Sequence, residues 1–355
     1  MSMGSGKEMI PIQNIYYMLS YAFQVLTEQG YKKLATESFH NIGELCAAIL
    51  AKGVAIQVKR GLGRQYLLQT EPVSSLKGRL EIEESIKKQT IIKKQMICSY
   101  EEFSVNSIMN RIIKSTMELL LRSDISNIRK KELRKWIIYF SDVEHIDLNT
   151  VNWNIQYNRN NQTYRMLISI CYFVVKGLLP TKADGSMKLM DFLDEQRMFR
   201  LYEKFILEYY RKEFPKISVN ASQISWQLDD DNHFMLPIMQ TDIMLTYQEK
   251  ILIIDAKYYS QIMQKRFQHS SIRSGNLYQM FAYVKNKEIE LAGKPHEVSG
   301  MLLYAKTEEE EIVPKCQYQM SGNKISVCVL DLNCNFEEIK EQLDAIIIEH
   351  FGKIE

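Results

Sequence analysis

Two aspartates and a lysine carry the strongest chemical signal in this chain. Asp255, Ala256 and Lys257 follow a short aliphatic run, and Asp242 precedes Asp255 by thirteen residues. An Asp-x-Lys pair has period two, so in an extended strand both charged side chains leave on one face. Thr241–Tyr247 reads as one strand and Gln248–Lys250 as a polar turn. Ile251–Ile254 is a β-branched apolar run suited to a buried strand. Asp242 then joins the pair from the partner strand. Two carboxylates and an ammonium converging on one spot suit divalent-metal binding and phosphodiester hydrolysis. Asp-x-Lys pairs are common, and most are solvated or form a simple salt bridge. Here the carboxylate ends an aliphatic run, where a charge is costly unless it has a partner or a task.

The elements around these residues extend the pattern. Thr241-Asp242 followed by Asp255-Ala256-Lys257 resembles the PD-(D/E)XK nuclease motif, with threonine replacing proline. Asn276–Tyr283 reads as the start of a helix, Gly275–Lys285, after the polar loop Ser270–Gly275. Gln279 and Tyr283 are four apart and share a helix face. They resemble the Gln-x-x-x-Tyr element of RecB-like nucleases, which lies beside metal and DNA. An ordinary amphipathic helix with one buried tyrosine has the same spacing. Upstream, Arg197–Phe214 is a helix with Phe199, Tyr202, Phe205, Ile206 and Tyr209 on its apolar side. Glu203 on that helix is either a third carboxylate of the metal site, as in many nucleases of this kind, or a solvated helix glutamate.

Further blocks resemble the McrC family, the nuclease subunit of the McrBC modification-dependent restriction system. They are Ile10–Phe23, Lys52–Val54 with Arg60–Leu62, Leu76–Ile82, Asn110–Thr116, Leu252–Tyr259 and Asn276–Gln279, in the family's order. The resemblance implies a metal-dependent endonuclease that cuts double-stranded DNA only with McrB, a hexameric AAA+ GTPase. The GTP, or other nucleotide, belongs to that partner. Asp242 and Asp255 would hold Mg²⁺, helped by the Ala256 carbonyl and Glu203, and Lys257 would position the attacking water. Lys265, Arg266 and Arg273 are either DNA-backbone contacts or surface charges. Which DNA modification is read does not carry over. A free-standing repair nuclease and a catalytically silent assembly factor are the alternatives. The intact Asp, Asp and Lys argue against the second. The lack of a helicase motif or strongly basic composition argues against the first.

The expected architecture is α/β in two parts. Residues 1–155 form an N-terminal, partner-binding α+β module with a β-rich finger over about 53–92. Residues 156–355 form a restriction-endonuclease-like domain with a mixed central sheet flanked by helices. In the first part, Ile12–Leu26 and Asn41–Lys52 read as helices. Val54–Val58, Gln65–Gln69 and Gly78–Ile82 read as short strands punctuated by Gly, Pro and Ser. Ser104–Leu121 and Ile125–Tyr139 are helices, the latter charged and amphipathic. Tyr164–Leu179 is a helix of the second part. There Val298–Tyr304 and Lys324–Leu330 are buried strands, and Phe336–Phe351 closes the chain as a helix. Family resemblance makes the finger an insert into the partner ring. Arg60, Arg64, Lys77 and Arg79 are its basic loop residues, either partner contacts or a solvated surface. Asn110 and Arg111 are candidates for a structural role, because a helix Asn can bond a neighbouring loop.

Composition excludes several classes. With 355 residues there is chain enough for two cores, and a formal net charge of +2 predicts weak bulk DNA attraction. Six cysteines without a Cys-x-x-Cys pair, and no leader segment, predict reduced thiols in a cytoplasmic protein. Scattered histidines disfavour zinc. Ile168–Leu179, the longest apolar stretch, is too short to span a membrane and is interrupted by Lys176. Gly4–Glu8 resembles a phosphate loop but lacks the preceding strand and the hydroxyl residue, and reads as a flexible tail.

Overall fold

The computed structural model describes residues 10–27, 31–157, 162–178, 195–230, 232, 234–258, 263–266, 269–306 and 315–354. The tail 4–8 lies outside them. In chain order the elements are α1 (Ile12–Ala22), α2 (Ile42–Arg60), β1 (Gln65–Val73), β2 (Arg79–Leu80), α3 (Ile82–Lys87), β3 (Met96–Ser104), α4 (Ile108–Arg122), α5 (Asn127–Ile137) and α6 (Gln162–Leu178). Then follow α7 (Glu195–Glu213), β4 (Ser218–Asn220), β5 (Gln223–Ile224), β6 (Met239–Gln240), β7 (Ile243–Tyr247), β8 (Lys250–Lys257), β9 (Met263–Arg266) and β10 (His269–Ile272). The chain closes with α8 (Ser274–Glu290), β11 (Glu297–Lys306), β12 (Cys316–Met320), β13 (Asn323–Asp331) and α9 (Phe336–Phe351).

Contacts group residues 39–191 into one compact unit and residues 1–38 with 192–355 into the other. The division differs from a single cut near residue 155 at both ends. The first helix belongs with the C-terminal unit: Tyr17 stacks on Phe336 at 4.5 Å, and Tyr21 donates a 2.8 Å hydrogen bond to Glu213. Asn14 donates to the carbonyls of Leu332 and Cys334, each at 2.8 Å. Helix α6, beyond residue 155, packs on α2 and α4 and so belongs to the other unit.

The C-terminal unit is built on a mixed six-stranded sheet ordered β12-β13-β11-β8-β7-β4. Strand β8 lies inside it, antiparallel to β7 and parallel to β11. Tyr247 pairs with Lys250 across a two-residue turn in which Gln248 is left-handed, φ 53°. Residues Ile251–Lys257 are all buried. One sheet face (Ile251, Ile253, Leu302, Tyr304, Val327) packs on Met280, Tyr283 and Val284 of α8. Gly300 permits that approach, since a Cβ there would meet Met280 Sδ at 2.5 Å. Helices α7 and α9 are tied together, Tyr209 donating to Asp344 at 2.6 Å and Tyr210 to the Leu343 carbonyl at 3.1 Å. The α/β class and the mixed sheet flanked by helices agree with the expectation.

The other unit contains α2, α4, α5 and α6 with a three-stranded sheet ordered β1-β3-β2. Here several expected boundaries move. Val54–Val58 is helical, because α2 runs to Arg60 and stops only at Gly61, φ 86°. Val54 and Gln57 are buried on the same helix, so packing overrides the β-branched propensity. Strand β3 is not among the expected elements: it pairs with β1 over its whole length, Gln65 opposite Ser104 to Val73 opposite Met96. The sheet therefore occupies residues 65–104 rather than 53–92. Ser104 ends β3, and α4 starts at Ile108 with Ser107 as its N-cap. Gly78–Ile82 shrinks to β2, since Ile82 opens the short helix α3. Helix α1 ends at Ala22, with a 3-10 turn over Gln24–Thr27. Ser270–Ile272 is no loop, because β10 pairs with β9. Among the described residues, no helix is long and apolar enough to cross a membrane.

Candidate active site

Strand β8 delivers Asp255 and Lys257 to one face, as period two requires. Lys257 Nζ donates to Asp255 Oδ1 at 2.9 Å and lies 2.8 Å from Oδ2. Only the first contact has hydrogen-bond geometry, so Asp255 Oδ2 is buried without a hydrogen-bond donor. Asp255 is 2 % exposed and Lys257 7 %. Phe199 of α7 lies under the ammonium, 5.7 Å from its ring centre.

Asp242 stands just before β7 and accepts from the Ala256 amide at 2.9 Å. Its neighbour Thr241, 1 % exposed, fixes that point of the chain. The Thr241 hydroxyl donates to the Ser222 carbonyl at 2.9 Å and accepts from the Ser222 amide at 3.1 Å. Threonine in place of proline thus adds a side-chain clamp to the edge that presents Asp242. Glu203 of α7 reaches the same cluster beside Asp242, and Asp242 lies beside Asp255. These contacts separate Glu203 from an ordinary solvated helix glutamate.

The electrostatics follow from crowding acids in a dry place. Burial, then the Glu203 charge, pushes Asp242 up to about 6. Burial and the Asp242 charge push Asp255 up to about 7, with the Lys257 ammonium opposing. Glu203 is raised, first by burial. Carboxylates this close and this desolvated ionise together only at raised pH, even with the Lys257 ammonium beside them. Among the described residues, no three His, Cys, Asp or Glu side chains form a ready-made cage for a metal. The donor set nevertheless fits Mg²⁺, which keeps several waters and takes one or two carboxylates. The donorless oxygen of Asp255 and the raised acids are the observations that favour a cation there.

Gln279 and Tyr283 meet as expected, and their bonds go further. Gln279 Nε2 donates to Tyr283 Oη at 2.8 Å, and Tyr283 donates to the Gln240 carbonyl at 2.9 Å. Helix α8 therefore holds the end of β6, two residues before Asp242. Tyr283 also lies in the field of both aspartates, and burial raises its pKa. Sequence reasoning missed Tyr304, which is opposite Lys257 in register and accepts from Asn276 Nδ2 at 2.8 Å. Its period-two relation to Leu302 within a buried strand was the available signal. Arg273 is half-buried at the N-cap of α8. Lys265 and Arg266 lie on β9, and their side chains are outside the described residues.

The basic residues of the other unit are spread along the sheet and its base. Arg60 is the exposed last residue of α2. Arg64 lies 6.0 Å over Phe103, Lys77 3.5 Å over Tyr100, and Arg79 sits 3.5 Å from Glu81. Sequence reasoning missed the apolar surface around them. Tyr66, Leu68, Phe103, Ile86 and Ile92 are all exposed. Asn110 is structural: its amide donates to the carbonyls of Gly63 and Val105, each at 2.8 Å, and Tyr164 Oη accepts from the Gly63 amide at 2.7 Å. Arg111 bonds the His145 carbonyl at 3.3 Å.

A mixed sheet with buried carboxylates and a lysine converging at adjoining strands defines an α/β protein with a buried acidic centre. The profile of the family described as McrBC 5-methylcytosine restriction system component matches residues 8–305, and the chain belongs to that family. It is 29% identical over 347 residues to the Escherichia coli (strain K12) protein named type IV methyl-directed restriction enzyme EcoKMcrBC, covering 96% of this chain and 98% of the relative. Among solved structures it is similar to a half-complex from a tetradecameric assembly of Thermococcus gammatolerans McrB AAA+ hexamers with bound McrC. That match has 18% identity and TM-score 0.49, with 95% of this chain and 75% of the other covered. A second match, the Thermococcus gammatolerans McrBC complex, has 20% identity and TM-score 0.39, covering 59% and 60%.

Proposed function

We propose that this chain is the Mg²⁺-dependent DNA endonuclease subunit of a McrBC-type restriction system. In this reading it cuts when assembled with a hexameric McrB-like AAA+ GTPase and stimulates that partner's nucleotide hydrolysis. The family membership and the relative's name support the system. The observation that carries the chemistry is the buried Asp255–Lys257 pair beside Asp242 and Glu203. Mg²⁺ held by Asp242 and Asp255, with Glu203 and the Ala256 carbonyl as further oxygen donors, would polarise a phosphate and acidify a bound water. Lys257, steadied by Asp255, presents its ammonium on the same face and offsets charge building on the phosphate. Tyr283 and Gln279 hold the strand end that carries Asp242. Arg273 at the N-cap of α8, with Lys265 and Arg266 on β9, would grip the DNA backbone.

Partner contact is assigned to the three-stranded sheet, with Arg60, Arg64, Lys77 and Arg79 among its exposed apolar residues. Apolar groups left in water at this density mark an interaction surface. The test is cleavage of modified duplex DNA by the purified chain with and without the partner and Mg²⁺. Cutting is expected only with both. Efficient cleavage by the chain alone would favour a free-standing nuclease, and none under any condition a silent assembly factor.

A further inference from the structure

Helix α5 has no part in the cleavage chemistry or in the three-stranded sheet, yet basic residues crowd it. Its 11 residues include Arg129, Lys130, Lys131, Arg134 and Lys135 against one acid, Glu132. Glu132 is occupied by Arg129 at 2.8 Å, and Arg129 packs 5.4 Å from the Phe39 ring. Leu133, fully buried, pins the inner face of the helix, which packs on α2 and α4. Lys131, Arg134 and Lys135 are left exposed at i, i+3 and i+4, so they share one outward face. Among the described residues, none of the three reaches a carboxylate; Lys135 has only the Trp136 ring, 4.9 Å from its ammonium. Ile128 and Ile138 frame this strip at 72% and 73% exposure.

Three hydrated cations on one helix face repel one another weakly, and an anionic ligand would relieve that repulsion. A protein partner is the weaker choice, because lysine is depleted at the cores of protein interfaces. Phosphate oxygens take Lys and Arg in just such rows, without sequence information. The chain's net charge of only +2 makes this concentration a local feature rather than a consequence of bulk composition. We propose that the outer face of α5, through Lys131, Arg134 and Lys135, is a sequence-independent contact for the phosphate backbone of double-stranded DNA, separate from the cleavage centre. The inference rests on the proposed reading only in taking DNA as the ligand class.

The test is duplex binding by the full chain in EDTA, so that cleavage chemistry does not enter and its failure would not bear on the result. Affinity is measured across a salt series for the parent, for K131Q/R134Q/K135Q, and for a charge-matched control, K216Q/K294Q/K353Q, at exposed sites of the other unit. The α5 triple should lower the slope of log affinity against log salt by about one for each cation, about three in all, on duplexes of unrelated sequence. Circular dichroism should match the parent, since the three side chains are exposed. An unchanged slope overturns the proposal. So does an equal fall in the control, which would mean bulk charge alone. So does unaltered DNA binding with lost association to the AAA+ partner, which would make the face a protein contact.

Discussion

The hairpin β7–β8 and the sheet β1-β3-β2 break ordinary patterning in opposite directions. The first buries charge: Asp255 and Lys257 sit among Ile251–Ile254 with almost no access to water. The second exposes apolar groups: Leu68 is 72% accessible, and Ile92, on the 3-10 turn before β3, is 78%. Soluble folds avoid both arrangements, because a buried charge loses hydration and an exposed aliphatic group orders water. In the proposed reading the hairpin meets a cation and a phosphate, and the sheet meets a complementary surface. The contrast therefore separates chemistry from assembly, and substitutions should break one without the other.

The largest effect belongs to the hairpin. Asp255→Ala should lower DNA cleavage by about a thousandfold or more, because it removes a proposed metal ligand and the partner that steadies Lys257. Association with the AAA+ ring, followed by co-elution, should be unchanged. Cutting near the parent rate would sink the assigned centre. The mirror experiment is charge reversal at Arg60 and Arg79. It should weaken stimulation of the partner's nucleotide hydrolysis by about 2–5 kcal/mol if the contact is desolvated. The acidic centre of the other unit should keep its metal affinity. Normal stimulation would move the contact elsewhere.

Much of the hairpin is legible in the sequence, because its signals are local. Asp255-Ala256-Lys257 follows a β-branched run, and period two alone sets both charges on one face. The sheet is less legible for the same reason. Val54–Val58 looks extended by propensity, but helix α2 claims it through the burial of Val54 and Gln57. Strand β3 carries Glu101 and Glu102 on an exposed stretch, so it lacks the apolar alternation that marks a strand, and its pairing with β1 is a long-range fact. The Thr241–Ser222 clamp and the Tyr283–Gln240 bond are also long-range, joining residues 19 and 43 apart. The Gln279–Tyr283 spacing places two side chains on one face but does not indicate what they hold.

The carboxylate cluster gives a sharper, pH-dependent contrast. Burial and the neighbouring Glu203 charge push Asp242 up to about 6 in the fold, against 3.8 for an ordinary aspartate. Between those values the native state binds more protons than the unfolded chain, so metal-free stability falls as pH rises through the window. Above pH 6 the native protein carries the full cost of that buried charge. Asp242→Asn removes the charge and should raise stability at pH 8 in EDTA by about 1–3 kcal/mol, while abolishing cleavage. At pH 4 the gain should vanish. Denaturant titrations at the two pH values check the sign. A loss of stability at pH 8 would mean that Asp242 is held by its hydrogen bonds more than it is strained by its neighbours. Divalent-cation affinity should rise over the same interval, since the ligands must shed protons first.

The smallest effect on stability, and the most discriminating for the comparison, lies on the exposed sheet and the turn that leads into β3. Leu68→Ser with Ile92→Ser should change unfolding free energy by no more than about 0.5 kcal/mol, because neither side chain is packed in the isolated fold. The same pair should reduce binding to the AAA+ ring, since hydroxyls cannot replace the apolar area that an interface would cover. DNA cleavage per assembled complex should be unaffected, with the deficit residing in how much complex forms. A stability loss well beyond that limit would show the two residues to be packed within the chain itself. Exposed apolar surface would then not be the mark of assembly here, and the proposed opposition between a cation-binding hairpin and a partner-binding sheet would fail.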